Sequence, residues 1–279
     1  MTERGQMANL RALIQGAQDA YTLPGELLDA WAVSERVRAL SVTVPARLSD
    51  DDAAAGLVAA VAAGEQPDLV KLGEELSRGE TKTEAYRHAQ RVLTAAVGEA
   101  DRRAVSIASD VVETVIRDHL RPALMDVHDK AREAAAALDG YGDLDPVRLV
   151  NAPAKARAAF AELPVLVARR RLIFAARRSA NRIGNRQPEH DATELFVEFA
   201  APFALAADFN RNGLKSVAPQ DPVAYLLWVS SDAAAAGRPW MPTIKEMDEA
   251  WWDQFGEGVE MRRRAASDAR AIAAMFPDC

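Results

Sequence analysis

The sequence predicts an all-α protein, a multi-helix bundle organised around one very long, kinked helix at about residues 80–138, with no substantial β-sheet. Apolar residues recur at helical spacing nearly throughout the 279 residues, and strict apolar–polar alternation is sustained nowhere. The strand-like piece Leu40–Val44 is short and ends at Pro45. Between Glu80 and Leu138 there is a single glycine, Gly98, and a single proline, Pro122, so a long helical stretch is indicated there.

Helices are expected in chain order wherever the apolar spacing runs between glycine and proline breaks. Their approximate bounds are Met7–Ala20, Glu26–Leu40, Asp51–Ala63, Asp68–Ser77, Thr81–Leu138, Pro146–Val150, Ala154–Ile183, Ala192–Phe209, Pro222–Ala236, Ile244–Phe255 and Val259–Met275. Pro164 and Pro202 are expected to kink or divide two of these helices.

Capping residues support several of these helix starts. Asp145 and Asp221 each precede a proline, which places an N-cap acceptor before the residue that best tolerates the first helical position. Thr243 with Glu246 has the spacing of a capping box, in which the two residues satisfy each other's free backbone amides. The loop from Gly140 to Pro146 supplies a clear break after the long helix.

The apolar pattern of the long helix changes partway along it. An eleven-residue rhythm, Ala89, Ala100 and Val111, indicates a nearly straight seam in the first part. Beyond Val115 the apolar row moves by one position, and Pro122 removes a backbone donor, so a kink is expected near Asp118. The helix is expected to pack against its own chain, with an intermolecular, coiled-coil-like helical bundle as the alternative.

Composition is that of a folded, non-secreted protein. Hydrophobic residues make up 49% and charged residues 27% of the chain, and the net charge is -7. The first residues lack the pattern of a signal peptide, and no apolar run approaches the 18 residues that would span a membrane. The single cysteine, Cys279, allows no intrachain disulfide. We therefore expect the protein in the cytoplasm, or as a component of a virion or other assembly.

Charge divides the chain into two parts. Residues 1–150 carry 17 Lys and Arg against 25 Asp and Glu, whereas residues 151–279 carry 17 against 16. The interpretation is an acidic helical region at 1–140 and a second helical region at 146–279, with a single domain as the alternative. Four of the five tryptophans (Trp228, Trp240, Trp251 and Trp252) lie in the last quarter, which predicts an aromatic core there.

One helix stands out as basic. From residue 169 to 186 there are seven arginines and no acidic residue, and all but one fall within about half the helix circumference. The arginines are Arg169, Arg170, Arg171, Arg177, Arg178, Arg182 and Arg186. The opposite side is expected to be apolar and includes Val165, Leu166, Leu172, Ile173 and Ala176. Such a face suits nucleic acid, another anionic surface, or an acidic surface of the same chain or of a second subunit.

Signals for a metal or a catalytic site are weak. Asp208, Asn210 and Asn212 match the opening of a calcium loop, but its twelfth position is Pro219, where a glutamate is needed. Glu84 with His88, and His190 with Glu194 and Glu198, have one-turn spacing that equally fits salt bridges. His119 and His128 are interpreted as surface or interface residues. The motifs of phosphate-binding loops, nucleophile elbows and zinc hydrolases are absent, so neither cofactor nor metal is expected.

The sequence therefore predicts a non-enzymatic structural or interaction protein that self-associates or joins a larger assembly, with a viral or prophage assembly as one setting. Its partners would be further copies of itself or other protein subunits. The alternative is a nucleic-acid-binding protein that uses the Arg169–Arg186 helix, and a helical-bundle enzyme is the third hypothesis.

Overall fold

In the computed structural model, the described residues are 2–40, 69–139, 150–185, 196–205 and 218–257. Within these ranges the chain is helical and forms no strand, apart from an isolated antiparallel bridge between Phe199 and Pro239. The all-α prediction is confirmed. The helices predicted at 51–63 and 259–275, together with most of the strand-like piece, lie outside the described residues.

The helices are labelled here in chain order. They are α1 (Glu3–Ala20), α2 (Gly25–Ala39), α3 (Leu69–Asp110), α4 (Val112–Thr114), a π-helix (Val115–Leu120), α5 (Arg121–Ala137), α6 (Ala154–Ile183), α7 (Pro222–Val229) and α8 (residues 244–257). Two 3-10 helices cover Pro202–Ala204 and Asp232–Gly237. No helix among the described residues has the length and apolar character needed to cross a membrane.

A single very long helix is not confirmed. α3 ends at Asp110, a turn at Val111 follows, and the π-helix then separates α4 from α5. The N–H of Arg121 donates to the carbonyl of Ile116, a step of five residues that is wider than an α-turn. Both Val115 and Ile116 are buried. The wide turn accommodates the one-position shift of the apolar row, and Pro122 lies in the first turn of α5, where its missing N–H costs little.

The two other prolines expected to interrupt helices behave differently. α6 continues through Pro164 without division from Ala154 to Ile183. The helix predicted at 192–209 is wrong for its described part, because residues 196–205 form no α-helix and are 3-10 helical only at Phe196 and at Pro202–Ala204. There the backbone N–H of Ala201 donates to the carbonyl of Gly237 at 2.9 Å, so a long-range partner replaces the helical bond.

The chain consists of two compact units, Met1–Leu27 with Val105–Cys279, and Leu28–Ala104. In the first unit, α6 packs against α1 and α5. The fully buried Leu163 of α6 lies in one cluster with Ala134 and Leu138. The side-chain amide of Gln6 donates to the carbonyl of Ile183 at 3.0 Å, which fixes the start of α1 beside the end of α6.

In the second unit, Asp101 joins α2 to α3. Its Oδ1 accepts hydrogen bonds from the buried hydroxyl of Ser34 at 2.6 Å and from the guanidinium of Arg38 at 2.7 Å. The Arg38 guanidinium also lies 5.8 Å from the centre of the Trp31 ring. These contacts replace the water that a half-buried carboxylate would otherwise require.

The predicted aromatic core is present in the C-terminal part of the described chain. Phe196, Met247 and Trp251 form a buried cluster, with Trp240 and Phe255 among the side chains packed around it. The ring centres of Trp251 and Phe255 lie 5.7 Å apart, within the range of favourable aromatic pairs. This cluster fixes α8 beside residues 196–205.

Two predicted helix starts are confirmed. Asp221 Oδ1 accepts the backbone N–H groups of Val223 and Ala224, each at 2.9 Å, at the start of α7. Thr243 Oγ1 accepts the N–H of Glu246 at 3.2 Å, while Glu246 Oε2 accepts the N–H of Thr243 at 2.7 Å. The second pair is a complete capping box at the start of α8. The predicted start at Pro146 and the boundary loop before it lie outside the described residues.

Candidate functional site

The arginines of α6 fall into two sets. Arg169, Arg170 and Arg177 bind other parts of the first unit, whereas Arg171, Arg178 and Arg182 are exposed. Arg186 lies outside the described residues. Only part of the predicted basic face is therefore exposed. We call the first three the anchor arginines and the second three the exposed arginines.

Arg169 fastens α6 to α1 and α5. Its Nε donates to the carbonyl of Ala20 at 3.0 Å, and its Nη1 pairs with the carboxylate of Asp126. Burial opposes ionisation of that carboxyl, but hydrogen bonds from Arg169 and Lys130 outweigh it and hold the pKa of Asp126 below its ordinary value. One guanidinium thus satisfies a helix C-terminal carbonyl and a carboxylate together.

Arg170 lies at the centre of a half-buried polar cluster. Its Nη2 donates to Glu198 Oε2 at 2.9 Å, and the hydroxyl of Tyr225 donates to the same oxygen. The guanidinium also lies 4.6 Å from the ring centre of Phe174 and 4.9 Å from that of Tyr225. Burial and the charge of Glu198 raise the pKa of Tyr225 above its ordinary value, so its hydroxyl stays protonated and donates.

Arg177 is the most deeply buried arginine of this helix, with 3% of its surface exposed. Its Nε donates to the carbonyl of Pro242 at 2.8 Å, and its Nη2 lies 2.9 Å from Met247 Sδ. Burial lowers the pKa of Arg177 to about 10, which leaves it charged at neutral pH. Together with Arg121, which donates to the carbonyl of Met241 at 3.0 Å, it holds the backbone just before α8.

The exposed arginines form one line along α6. At 100° per residue, Arg171, Arg178 and Arg182 lie within about 40° of arc and span about 16 Å along the axis. No hydrogen bond or ion pair connects any of the three to another residue of the described chain. The line is therefore an uncompensated positive surface, since nothing described neutralises it.

The predicted apolar side of this helix is partly wrong. Leu166, Ile173 and Ala176 are buried as expected, but Val165 is 64% and Leu172 is 44% exposed. α6 packs against α1 and α5, and its buried arc takes in Arg177 and leaves Val165 and Leu172 outside. Two apolar side chains thus border the exposed arginines.

The remaining predicted site residues are not brought together. Asp208, Asn210 and Asn212, the weak calcium candidate, lie outside the described residues, as do His190 and Glu194. Glu84 and His88 are both exposed on α3. Across the parts of the chain that the structure describes, no group of three His, Cys, Asp or Glu is arranged to hold a metal ion.

The interpretation of both central histidines as surface or interface residues is wrong for one of them. His119 is half-buried and its Nδ1 lies 2.8 Å from the hydroxyl of Thr22, whereas His128 is buried. Burial, followed by the charges of Arg170 and Arg132, lowers the pKa of His128 to about 4. Its Nε2 meets no hydrogen-bond partner among the described residues. The one-turn spacing from Leu124 was the signal in the sequence that places this histidine on the core face.

Comparison with protein-family models, with curated proteins and with solved structures found no match for this chain.

Proposed function

We propose that this chain is a non-enzymatic helical interaction protein that self-associates or joins a larger assembly, and that the exposed arginines of α6 are its contact surface. The observation that carries the proposal is the line formed by Arg171, Arg178 and Arg182, exposed and unpaired within the described chain. Uncompensated charge on a fixed helix favours association with a complementary surface and speeds the encounter.

The rigidity of the helix supports this proposal. Arg169, Arg170 and Arg177 fix α6 through backbone carbonyls and carboxylates, so the exposed arginines project from a preorganised support. A contact surface that is ordered before binding loses less conformational entropy when a partner arrives. The half-buried cluster around Glu198 has the character of an internal contact rather than an active site, since Glu198 Oε2 already accepts hydrogen bonds from both Arg170 and Tyr225.

Light scattering of the purified protein across a wide concentration range tests self-association. We expect the mean mass to rise above 30.2 kDa as concentration increases. The rise should weaken when Arg171 and Arg178 are reversed to glutamate, because the exposed arginines would no longer attract a complementary surface. A strict monomer at every concentration would contradict self-association.

Nucleic-acid binding through the same helix is the second candidate function, because guanidinium groups bind phosphate oxygens and release counterions. Under this alternative, labelled duplex DNA or RNA should bind with an affinity that falls steeply with salt. Reversal of Arg171 and Arg178 to glutamate should abolish that binding. Binding that is absent or insensitive to salt would exclude the alternative.

A further inference from the structure

An apolar row runs beside the exposed arginines on α6. It alternates steps of four and three residues, which is the spacing of a coiled-coil seam. Its members are Ala161, Val165, Ala168, Leu172 and Ala175, followed at the same spacing by the small polar Ser179, and we call this row of six the docking seam. The first four are exposed and the last two are half-buried. The docking seam therefore extends over about five turns of α6, and none of its residues is fully buried.

Residue size along the docking seam suits a second helix. One set of positions holds only alanine, at Ala161, Ala168 and Ala175, whereas the other begins with the larger Val165 and Leu172. Small residues allow a neighbouring backbone to approach closely, and the larger ones insert between its side chains. The sugar-phosphate backbone of a nucleic acid offers little apolar surface to cover Val165 and Leu172, so nucleic acid fits this face less well than a helix does.

The arginines beside the docking seam indicate which charge the partner helix carries on its flank. Arg171 precedes Leu172 and Arg178 precedes Ser179, both in the second set of seam positions. Coiled coils place at this flanking position the charged residues that select a partner. Two copies joined through the same seam would bring these arginines into one interface, where like charges repel. A partner with acidic residues along its flank would instead pair with them.

We propose that the docking seam of α6 binds an amphipathic helix with an acidic flank, carried by a partner protein and distinct from α6 of a second copy. This inference rests on the proposed function, because it specifies the partner of the same surface. Binding would bury Val165 and Leu172 and pair Arg171 and Arg178 with carboxylates. Both the apolar and the charged contacts are therefore required.

The test uses the full chain and a labelled peptide of three heptads, about 21 residues, with leucine at the core positions and glutamate on the flanks. Fluorescence anisotropy should show saturable binding of this peptide and no binding of a matched peptide with lysine in place of glutamate. The double variant R171E/R178E should weaken binding about tenfold or more, and Leu172→Asn, which removes the apolar contact without changing the charge, should do the same.

The matched control is R87E/R91E, which makes the same change of charge on the exposed face of α3 and should leave peptide affinity unchanged. Circular dichroism checks that each variant keeps its helical content. If Leu172→Asn binds normally while R171E/R178E does not, the contact is purely electrostatic and the docking seam is wrong. Binding of duplex DNA but not of the acidic peptide would also overturn the inference.

The outcomes separate this inference from the broader proposal. An oligomer that ignores the acidic peptide would retain the interaction function and remove the docking seam as its site. A strict monomer that binds the peptide through Leu172 and Arg171 would retain the docking seam and remove self-association.

Discussion

Replacing Glu198 with alanine should lower the free energy of unfolding by about 3 kcal/mol. Its carboxylate accepts from Arg170 and from the hydroxyl of Tyr225, and the side chain of Arg170 is only 13% exposed. Both hydrogen bonds end on a charged carboxylate, and each bond of this kind contributes roughly 1.5–3 kcal/mol. Since Glu198 is itself 29% exposed, solvent screening keeps the expected loss near the lower part of the sum.

Urea unfolding followed by far-ultraviolet circular dichroism measures this loss, with the slope of free energy against denaturant checked for constancy. Glu198→Gln keeps an acceptor for both donors and should cost roughly half as much. The control is Glu249→Ala, since Glu249 is 61% exposed and 3.9 Å from Lys245 and should contribute less than about 0.5 kcal/mol. If the Glu198 and Glu249 variants lost the same stability, the hydrogen bonds to Glu198 would add nothing to the stability of the fold.

Three further predictions concern His128, the α8 cap and the exposed arginines. The pKa of His128 is about 4 in the fold against 6.5 ordinarily, so only the unfolded chain binds its proton as pH falls between these values. Stability should therefore decline by up to about 3 kcal/mol toward pH 4, and His128→Leu should flatten that decline in urea unfolding across pH. Thr243→Ala removes the acceptor for the N–H of Glu246 and should cost about 1 kcal/mol, visible as a lower melting temperature. R171E/R178E should change the free energy of unfolding by less than about 0.5 kcal/mol, because neither side chain has a partner in the described chain; a larger loss in urea unfolding would mean that they belong to the fold.

Local chemistry could be predicted from the sequence where it depends on neighbours in the chain. Asp221 and the Thr243–Glu246 pair were identifiable because a cap and its amide lie within three residues. The shift of the apolar row after Val115 was equally visible, but the backbone conformation that accommodates this shift was not. A proline at 122 suggests a kink, and only packing on both Val115 and Ile116 selects a wide turn instead.

The candidate surface was only half predictable for a different reason. Six arginines between residues 169 and 182 of α6, with Arg186 beyond its end, predict a basic face, but which of them remain free depends on the elements that contact the helix. Arg177 and Arg178 look equivalent in the sequence, yet the carbonyl of Pro242 lies 65 residues away and binds only one of the two. Long-range acceptors of this kind leave no periodic pattern, whereas the apolar periodicity that defines the buried arc does.

The π-helix makes this segment tolerant of a change in length. A π-turn holds one residue more than an α-turn, so deleting one residue between Val115 and Leu120 would restore ordinary helix and leave the residues that follow on the same face. Leu124 and Val127, both buried, would stay buried. The same deletion within α5 would instead rotate every later residue of that helix by about 100°, so the π-helix is the place where this part of the chain can lose a residue without exposing its core.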